Sequence, residues 1–406
     1  MTDLYARYRH ALADVPRPCA FVDLDALEAN VDKLIAPAQA AGKTVRTASK
    51  SLRCRELLTR IEERADGAVA GVMAYAAAEA EWLVEHGATD VFVAYPTGQR
   101  SDALAMARAN LPDGVFAAIV VDDPAHLDLL DAAAAEVGST VPVIVEIDLA
   151  FRPLGGAAHL GARRSPLHDA ASVLSLARQA EDRAHLRFGG VMGYESHIAG
   201  VQDANPFSPL MNLPKRWLKA ADKGRVARLR AEIAAGLDAA GLGGRLFNGG
   251  GTGSVAWTSE EPHITEVAAG SGFIDPHLFD YFAHMKRDPL TPAIGFSLQV
   301  VRVPGPGIVT AHGGGYVASG EAGPDKLPVP WLPHGIGFVP MEGAGEVQTP
   351  ITVPAGVSLG IGDPVFLRHA KGGELAEHVD RYALIRGDAV VGWAPTYRGE
   401  GKCFLG

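Results

Sequence analysis

Two stretches of this chain hold residue types from which chemistry could be built. TVRTASK (44–50) is a short polar and β-branched run with Arg46 inside it and Lys50 at its end. At the two-residue period of a strand these cations share a face, about 13 Å apart at ~3.3 Å per residue. An amine at a strand end, partly withdrawn from water, sheds its charge more readily and can condense with an aldehyde. FNGGGTGSVAW (247–257) follows a β run; its consecutive glycines, Gly250, Gly251 and Gly253 among them, let backbone amides close around an anion. Thr252 and Ser254 add hydroxyls. The stretch departs from GxGxxG at Ser254 and lacks the Gly-Lys-Ser/Thr ending of a nucleotide loop. A second small-residue turn, AAGSGF (268–273), contributes Ser271 and Gly272. An amine facing a phosphate cradle suits a phosphorylated aldehyde, pyridoxal 5'-phosphate (PLP). The plainer readings are a solvated lysine and tight turns that need positive φ.

Such groups need a scaffold that turns them toward one another. Nine candidate strands run from Cys19 to about Tyr281: CAFVDL (19–24), TVRTASK, GAVAGVM (67–73), DVFVAYP (90–96), FAAIVVD (116–122), VPVIVEID (141–148), LRFGGVMGYES (186–196), RLFNGG (245–250) and HITEVA (263–268). Between most of them lie amphipathic helical stretches such as YAAAEAEWLVEHG and LDLLDAAAAEVG. Continuous apolar strands alternating with helices indicate a parallel sheet covered on its faces, and repeated βα units of this length an eight-stranded barrel. The expected class is α/β: a (β/α)8 barrel over 25–288 and a C-terminal antiparallel β domain over 289–406, where short strands are punctuated by Gly and Pro. CAFVDL is the supernumerary strand, so residues 1–24 are expected to pack with the β domain. Both glycine turns follow late strands, where barrels usually bind phosphate. Arg46, inside the barrel, is expected to pair with an acid such as Glu146 or Asp148.

Composition narrows the class. The chain of 406 residues is 48% hydrophobic and 21% charged, with net charge −10, and has no basic block to offset nucleic-acid phosphate. No apolar run approaches the ~18 residues of a membrane span, and the first residues lack a signal-peptide core. Cys19, Cys54 and Cys403 are far apart, which fits a reducing compartment. A cytoplasmic enzyme taking a small molecule, with no nucleic-acid or membrane partner, is the expectation.

The motifs resemble those of the fold-type III PLP enzymes, the alanine-racemase-like barrels, and within them the D-threonine aldolase and D-serine dehydratase branch. AFVDLDALEANV is similar to that family's opening strand and helix, and RTASK to the Arg-Pro-His-x-Lys spacing that ends on the Schiff-base lysine, here Lys50. HLGARRSP (159–166) resembles the arginine-containing loop after the middle strand. GVMGYESHIAG (190–200) resembles the strand whose end sets an aromatic or histidine beside the cofactor, here Tyr194 and His197, the plainer reading of His197 being a hydrogen-bonded core histidine. NGGGTGS and EVAAGSGFID resemble the phosphate loop and its successor. The resemblance implies a PLP-dependent lyase that cleaves or dehydrates a β-hydroxy amino acid of D configuration. It also implies a homodimer with the site at the interface, the partner's β domain closing the mouth. Arg163 or Arg164 would suit the substrate carboxylate, the plainer reading being a solvated loop; Tyr397 is a candidate either for reaching the partner's site or for packing at a strand edge. The segment 203–225 is taken as a mouth-closing loop.

The departures concern the metal. Metal-dependent members carry His-x-Cys or His-x-Asp for zinc or manganese, where this chain has His369 and Lys371, and an ammonium is a poor companion for a divalent ion. No metal is therefore expected, with Lys371, beside His369, acting at the substrate β-hydroxyl in its place. If a metal is held, His369 would bind it with His378 or Cys403. The lysine's usual Thr-His successors are replaced by Ser51 and Leu52. An amino-acid racemase using Tyr397, a D-serine dehydratase-type deaminase, a PLP carrier without activity and a PLP-independent sugar-phosphate barrel enzyme are the alternatives.

Overall fold

The computed structural model describes residues 3–153 and 157–405. The first strand, β1 (Cys19–Asp23), leads into a helix at 24–40 whose start is capped by the Asp23 carboxylate, accepting from the amides of Asp25 and Ala26. Eight parallel strands follow: β2 (Thr44–Ala48), β3 (Val69–Ala74), β4 (Asp90–Val93), β5 (Phe116–Val121), β6 (Val141–Glu146), β7 (Leu186–Gly193), β8 (Leu246–Gly249) and β9 (Glu266–Ala269). They close into a barrel in sequence order, β9 pairing back to β2 with Thr44 opposite Glu266. Helices cover the outside and bury Leu57, Ile61, Leu127, Val173 and Ile233 against the sheet. A separate small cluster of Phe92, Ala118, Val120, Ile144 and Met192 fills the inside. The architecture is the expected α/β barrel.

The remaining strands form the second sheet: β10 (Ile294–Gly305), β11 (Ile308–His312), β12 (Val329–Leu332), β13 (Gly337–Phe338), β14 (Gln348–Thr352), β15 (Pro364–Arg368), β16 (Arg381–Arg386) and β17 (Ala389–Pro395). Its path is β13-β14-β11-β10-β1-β16-β17, with β15 joining β10 to β12. Every pair is antiparallel except β1–β16. The strand left over from the barrel, β1, thus sits in the centre of this sheet. Among the described residues no helix is long and apolar enough to cross a membrane.

Three expectations change. The run 203–225 is largely not a loop: after a short turn at Pro209–Met211, a helix runs over Asn212–Ala239. Its Lys, Arg, Ala and Leu are strong helix formers, and Pro214 falls in the first turn, where no amide partner is needed. Strand β2 ends at Ala48, and Lys50 lies in a 3-10 turn, Ser49–Ser51, so the shared strand face with Arg46 does not exist. Arg46 does not pair with Glu146 or Asp148. Its Nε donates to Glu266 (2.6 Å) and its Nη1 to Asp90 (2.7 Å), because barrel closure brings β9 and β4 to the same interior layer.

Candidate active site

At the C-terminal ends of the barrel strands a cavity of about 270 Å3 is lined by Lys50, Tyr95, Arg164, Tyr194, the glycine loop 250–253 and Ser271. The Lys50 turn is held from below: Leu52 and Arg53 both return their amides to the Ser49 carbonyl, and Arg53 Nε donates to the Lys50 carbonyl. Lys50 Nζ donates to the Tyr95 hydroxyl at 2.8 Å. The lysine is nonetheless exposed, not withdrawn from water as expected.

Opposite stands the cradle. A Cβ at Gly253 would lie 2.2 Å from the Ala199 carbonyl oxygen, and one at Gly251 3.0 Å from the Tyr194 ring, so larger residues would push the loop out of place. Gly250 has φ +82°, in the left-handed region. The amides of Thr252 and Gly253 donate to no acceptor among the described residues. Ser271 Oγ meets Ser51 Oγ at 2.8 Å, joining the second glycine turn to the lysine turn. Amine, free amides and hydroxyls around one small cavity fit a phosphorylated aldehyde.

Of the two arginines, Arg164 faces the cavity. Its guanidinium carbon lies 5.3 Å from the Tyr194 ring centre and 5.8 Å from that of Tyr95, within cation–π range. Its Nη1 is 3.9 Å from Glu146 Oε1. Burial pushes the Glu146 carboxyl up to about 7, and Arg164 works against that rise. Desolvation likewise lifts the Tyr194 phenol to about 12, which keeps it neutral. Arg163 is exposed and outside the lining.

Several expected site residues lie elsewhere. His197 is buried and shares a hydrogen bond with Asp222 (2.7 Å) of the 212–239 helix. Ser254 turns its hydroxyl away from the cavity to donate to Glu195 at 2.7 Å. Gly272 supports the cradle from behind, its amide donating to Thr252 Oγ1. Tyr397 cannot reach a partner subunit's site: it is buried in its own chain, its hydroxyl donating to Glu79 at 2.9 Å. His369 and Lys371 do not line the cavity. The Lys371 ammonium is satisfied by the Ser319 carbonyl and hydroxyl, both at 2.8 Å, while buried His369 receives the Lys371 amide at Nδ1. Burial lowers the His369 imidazole to about 4. Among the described residues no three His, Cys, Asp or Glu side chains are grouped to hold a metal. The His369 Nε2 is buried with no hydrogen-bond partner among the described residues, while Lys371 brings an ammonium rather than a ligand to the second position.

Tyr95 and Asn248 line the cavity but were not singled out beforehand. Tyr95 was within reach of the same reasoning as Lys50, since DVFVAYP puts it just past a strand end.

The sequence profile of the alanine racemase N-terminal domain family matches residues 22–273. The chain belongs to that family. Among curated relatives of this alanine racemase-like chain, the 3-hydroxy-D-aspartate aldolase of Paracoccus denitrificans (strain Pd 1222) is 30% identical over 268 residues, 65% of this chain. The match spans 62% of that protein's length. The D-threonine aldolase of an Arthrobacter species is 27% identical over 320 residues, 78% of this chain and 76% of its own. The crystal structure of D-threonine aldolase from Filomicrobium marinum superposes with TM-score 0.79 over 96% of both chains at 22% identity. That of D-threo-3-hydroxyaspartate dehydratase from Delftia sp. HT23 gives 0.70 at 19% identity, over 95% of this chain and 98% of its own. At these identities the two structures establish the shared barrel and sheet.

Proposed function

We propose that the chain is a PLP-dependent lyase that splits the Cα–Cβ bond of a D-configured β-hydroxy amino acid into glycine and an aldehyde. The observation that carries this reading is the single cavity shared by the Lys50 amine and the glycine cradle. Its relatives' names, D-threonine aldolase and 3-hydroxy-D-aspartate aldolase, supply the substrate class.

Lys50 would hold the cofactor's aldehyde end; the amides of Thr252 and Gly253, with the Ser271 hydroxyl, would hold its phosphate. When bound, PLP supplies an electron sink for the negative charge that develops at the substrate Cα. The protein's own groups do the rest. Arg164 is the cation placed for the substrate carboxylate, its plane steadied by Tyr95 and Tyr194. Tyr95 fixes the Lys50 amine, and Lys50 with the Tyr95 phenol forms a pair in the cavity that can exchange a proton with the β-hydroxyl. The roles first assigned to His369 and Lys371 pass to these lining residues.

In this reading residues 25–288 supply the cofactor site, and 289–406 with 1–24 a covering sheet. The unit is a homodimer whose second copy closes the mouth. The exposure of Lys50, of Leu210 in the turn before the 212–239 helix, and of Leu213 and Trp217 at that helix's start, supports it. Three unpaired cysteines, two of them buried, support a cytoplasmic setting.

Product analysis tests the reaction. With PLP and either D-threonine or 3-hydroxy-D-aspartate, glycine and aldehyde are expected; a 2-oxo acid with ammonia would assign dehydration instead. Racemisation alone would overturn the lyase reading.

A further inference from the structure

Behind the glycine loop lies a carboxylate with no contact with water. Glu195, just past β7, is 0% exposed. Its Oε1 accepts the hydroxyls of Ser254 (2.7 Å) and Thr258 (2.5 Å). Its Oε2 accepts the Gly250 amide (3.1 Å) and Arg230 Nη2 (2.5 Å). Arg230, equally buried, also donates to the Gly193 carbonyl at 2.8 Å and pairs with Glu261. One carboxylate therefore ties the front of the glycine loop, its rear hydroxyl and the following helix to the end of β7.

Placed behind a loop that cradles an anion, such a carboxylate is electrostatically the wrong group. It repels a phosphate and is expensive to bury unless paired. Burial works to raise its pKa, but the Arg230 charge and the two hydroxyls outweigh that and hold it ionised. The arrangement makes sense as geometry. Four donors converge on one fully satisfied acceptor, with Arg230, shared with Glu261, as its counter-charge. The Gly250 amide and the Ser254 hydroxyl are both drawn to the rear and the Gly251 amide donates to Ser254 Oγ, which leaves Thr252 and Gly253 as the loop amides with no acceptor among the described residues.

We propose that Glu195 is a positioning residue that sets the curvature of the glycine loop and thereby the protein's grip on the cofactor's phosphate. This rests on the reading of the loop as a phosphate cradle. The side chain touches neither cofactor nor substrate; it acts through Gly250, Ser254 and Thr258. In Glu195→Gln, an NH2 group faces donors where an oxygen had accepted, so at least one hydrogen bond inverts and the loop shifts.

The test is to titrate the apoprotein with PLP and, separately, with pyridoxal, which lacks the phosphate. Glu195→Gln should weaken PLP binding by about 10-fold or more, the scale of one lost charged hydrogen bond. Pyridoxal binding should stay unchanged, and the 31P resonance of bound PLP should move. Thr258→Val, which removes one donor and keeps the volume, should act in the same direction with a smaller loss. It carries the test if Glu195→Gln does not fold. Equal losses for PLP and pyridoxal, in either variant, would reduce the carboxylate to general fold support and overturn the proposal. So would PLP affinity unchanged in both variants. Failure of the wild-type protein to bind PLP at all would instead overturn the cofactor reading itself.

Discussion

Glu79 is an acid in a place that should make its charge visible in stability. It lies on the helix 77–85, is 0% exposed, and accepts the Tyr75 amide at 2.7 Å and the Tyr397 hydroxyl at 2.9 Å. Burial drives its pKa up from 4.5 to about 7, and those hydrogen bonds oppose the rise. Because the folded-state value is above the unfolded one, the protonated acid stabilises the fold. That contribution is complete below about pH 4.5 and is lost as pH rises through about 7. At ~1.4 kcal/mol per pH unit, the loss across that window is roughly 3 kcal/mol. Glutamine copies the neutral acid's shape and does not titrate. Denaturant unfolding of wild type and Glu79→Gln at pH 4.5 and pH 8 isolates this residue, since other buried acids such as Glu146 titrate in both proteins. Relative to wild type, the variant should gain about 3 kcal/mol on going to the higher pH. A wild-type-minus-variant difference equal at the two pH values would refute the reasoning.

The barrel interior gives a second expectation. Arg46→Met strands the Glu266 carboxylate, whose side chain is 3% exposed, and should lower stability by about 3–5 kcal/mol, with the Arg46→Met/Glu266→Gln double variant recovering part of it in the same melts. Tyr95→Phe removes the hydrogen bond to Lys50 Nζ and should weaken PLP retention by roughly 3- to 10-fold in dialysis, since one such bond is worth about 1 kcal/mol. Arg164→Met should raise KM for the amino acid by about 10- to 100-fold with a smaller change in kcat; an unchanged KM would remove Arg164 from carboxylate binding.

The barrel was legible because its strands are buried on both faces. FAAIVVD and VPVIVEID read as unbroken apolar runs, and the glycine turns announced themselves by composition. The limit of β2 was not legible. Thr47, Ala48 and Ser49 suit either a strand or a turn, and only the return of two amides to Ser49 ends the strand before Lys50. Pairings across the closed barrel lay out of reach for another reason. Arg46 and Glu266 are 220 residues apart, and no local pattern shows which acid closure will bring near. The packing of Tyr397 lay out of reach likewise, since its partner Glu79 lies 318 residues away. His197 is the hydrogen-bonded core histidine of its plainer reading, and its partner Asp222 could not be named because it belongs to a helix hidden in a run that Pro, Asn and Ser make look irregular.

The most direct measurement of the central claim is covalent. Protein incubated with PLP and reduced with borohydride should carry one phosphopyridoxyl group, on the peptide containing Lys50, and Lys50→Ala should carry none. A label on another lysine, or scattered over surface lysines in wild type and variant alike, would contradict the account.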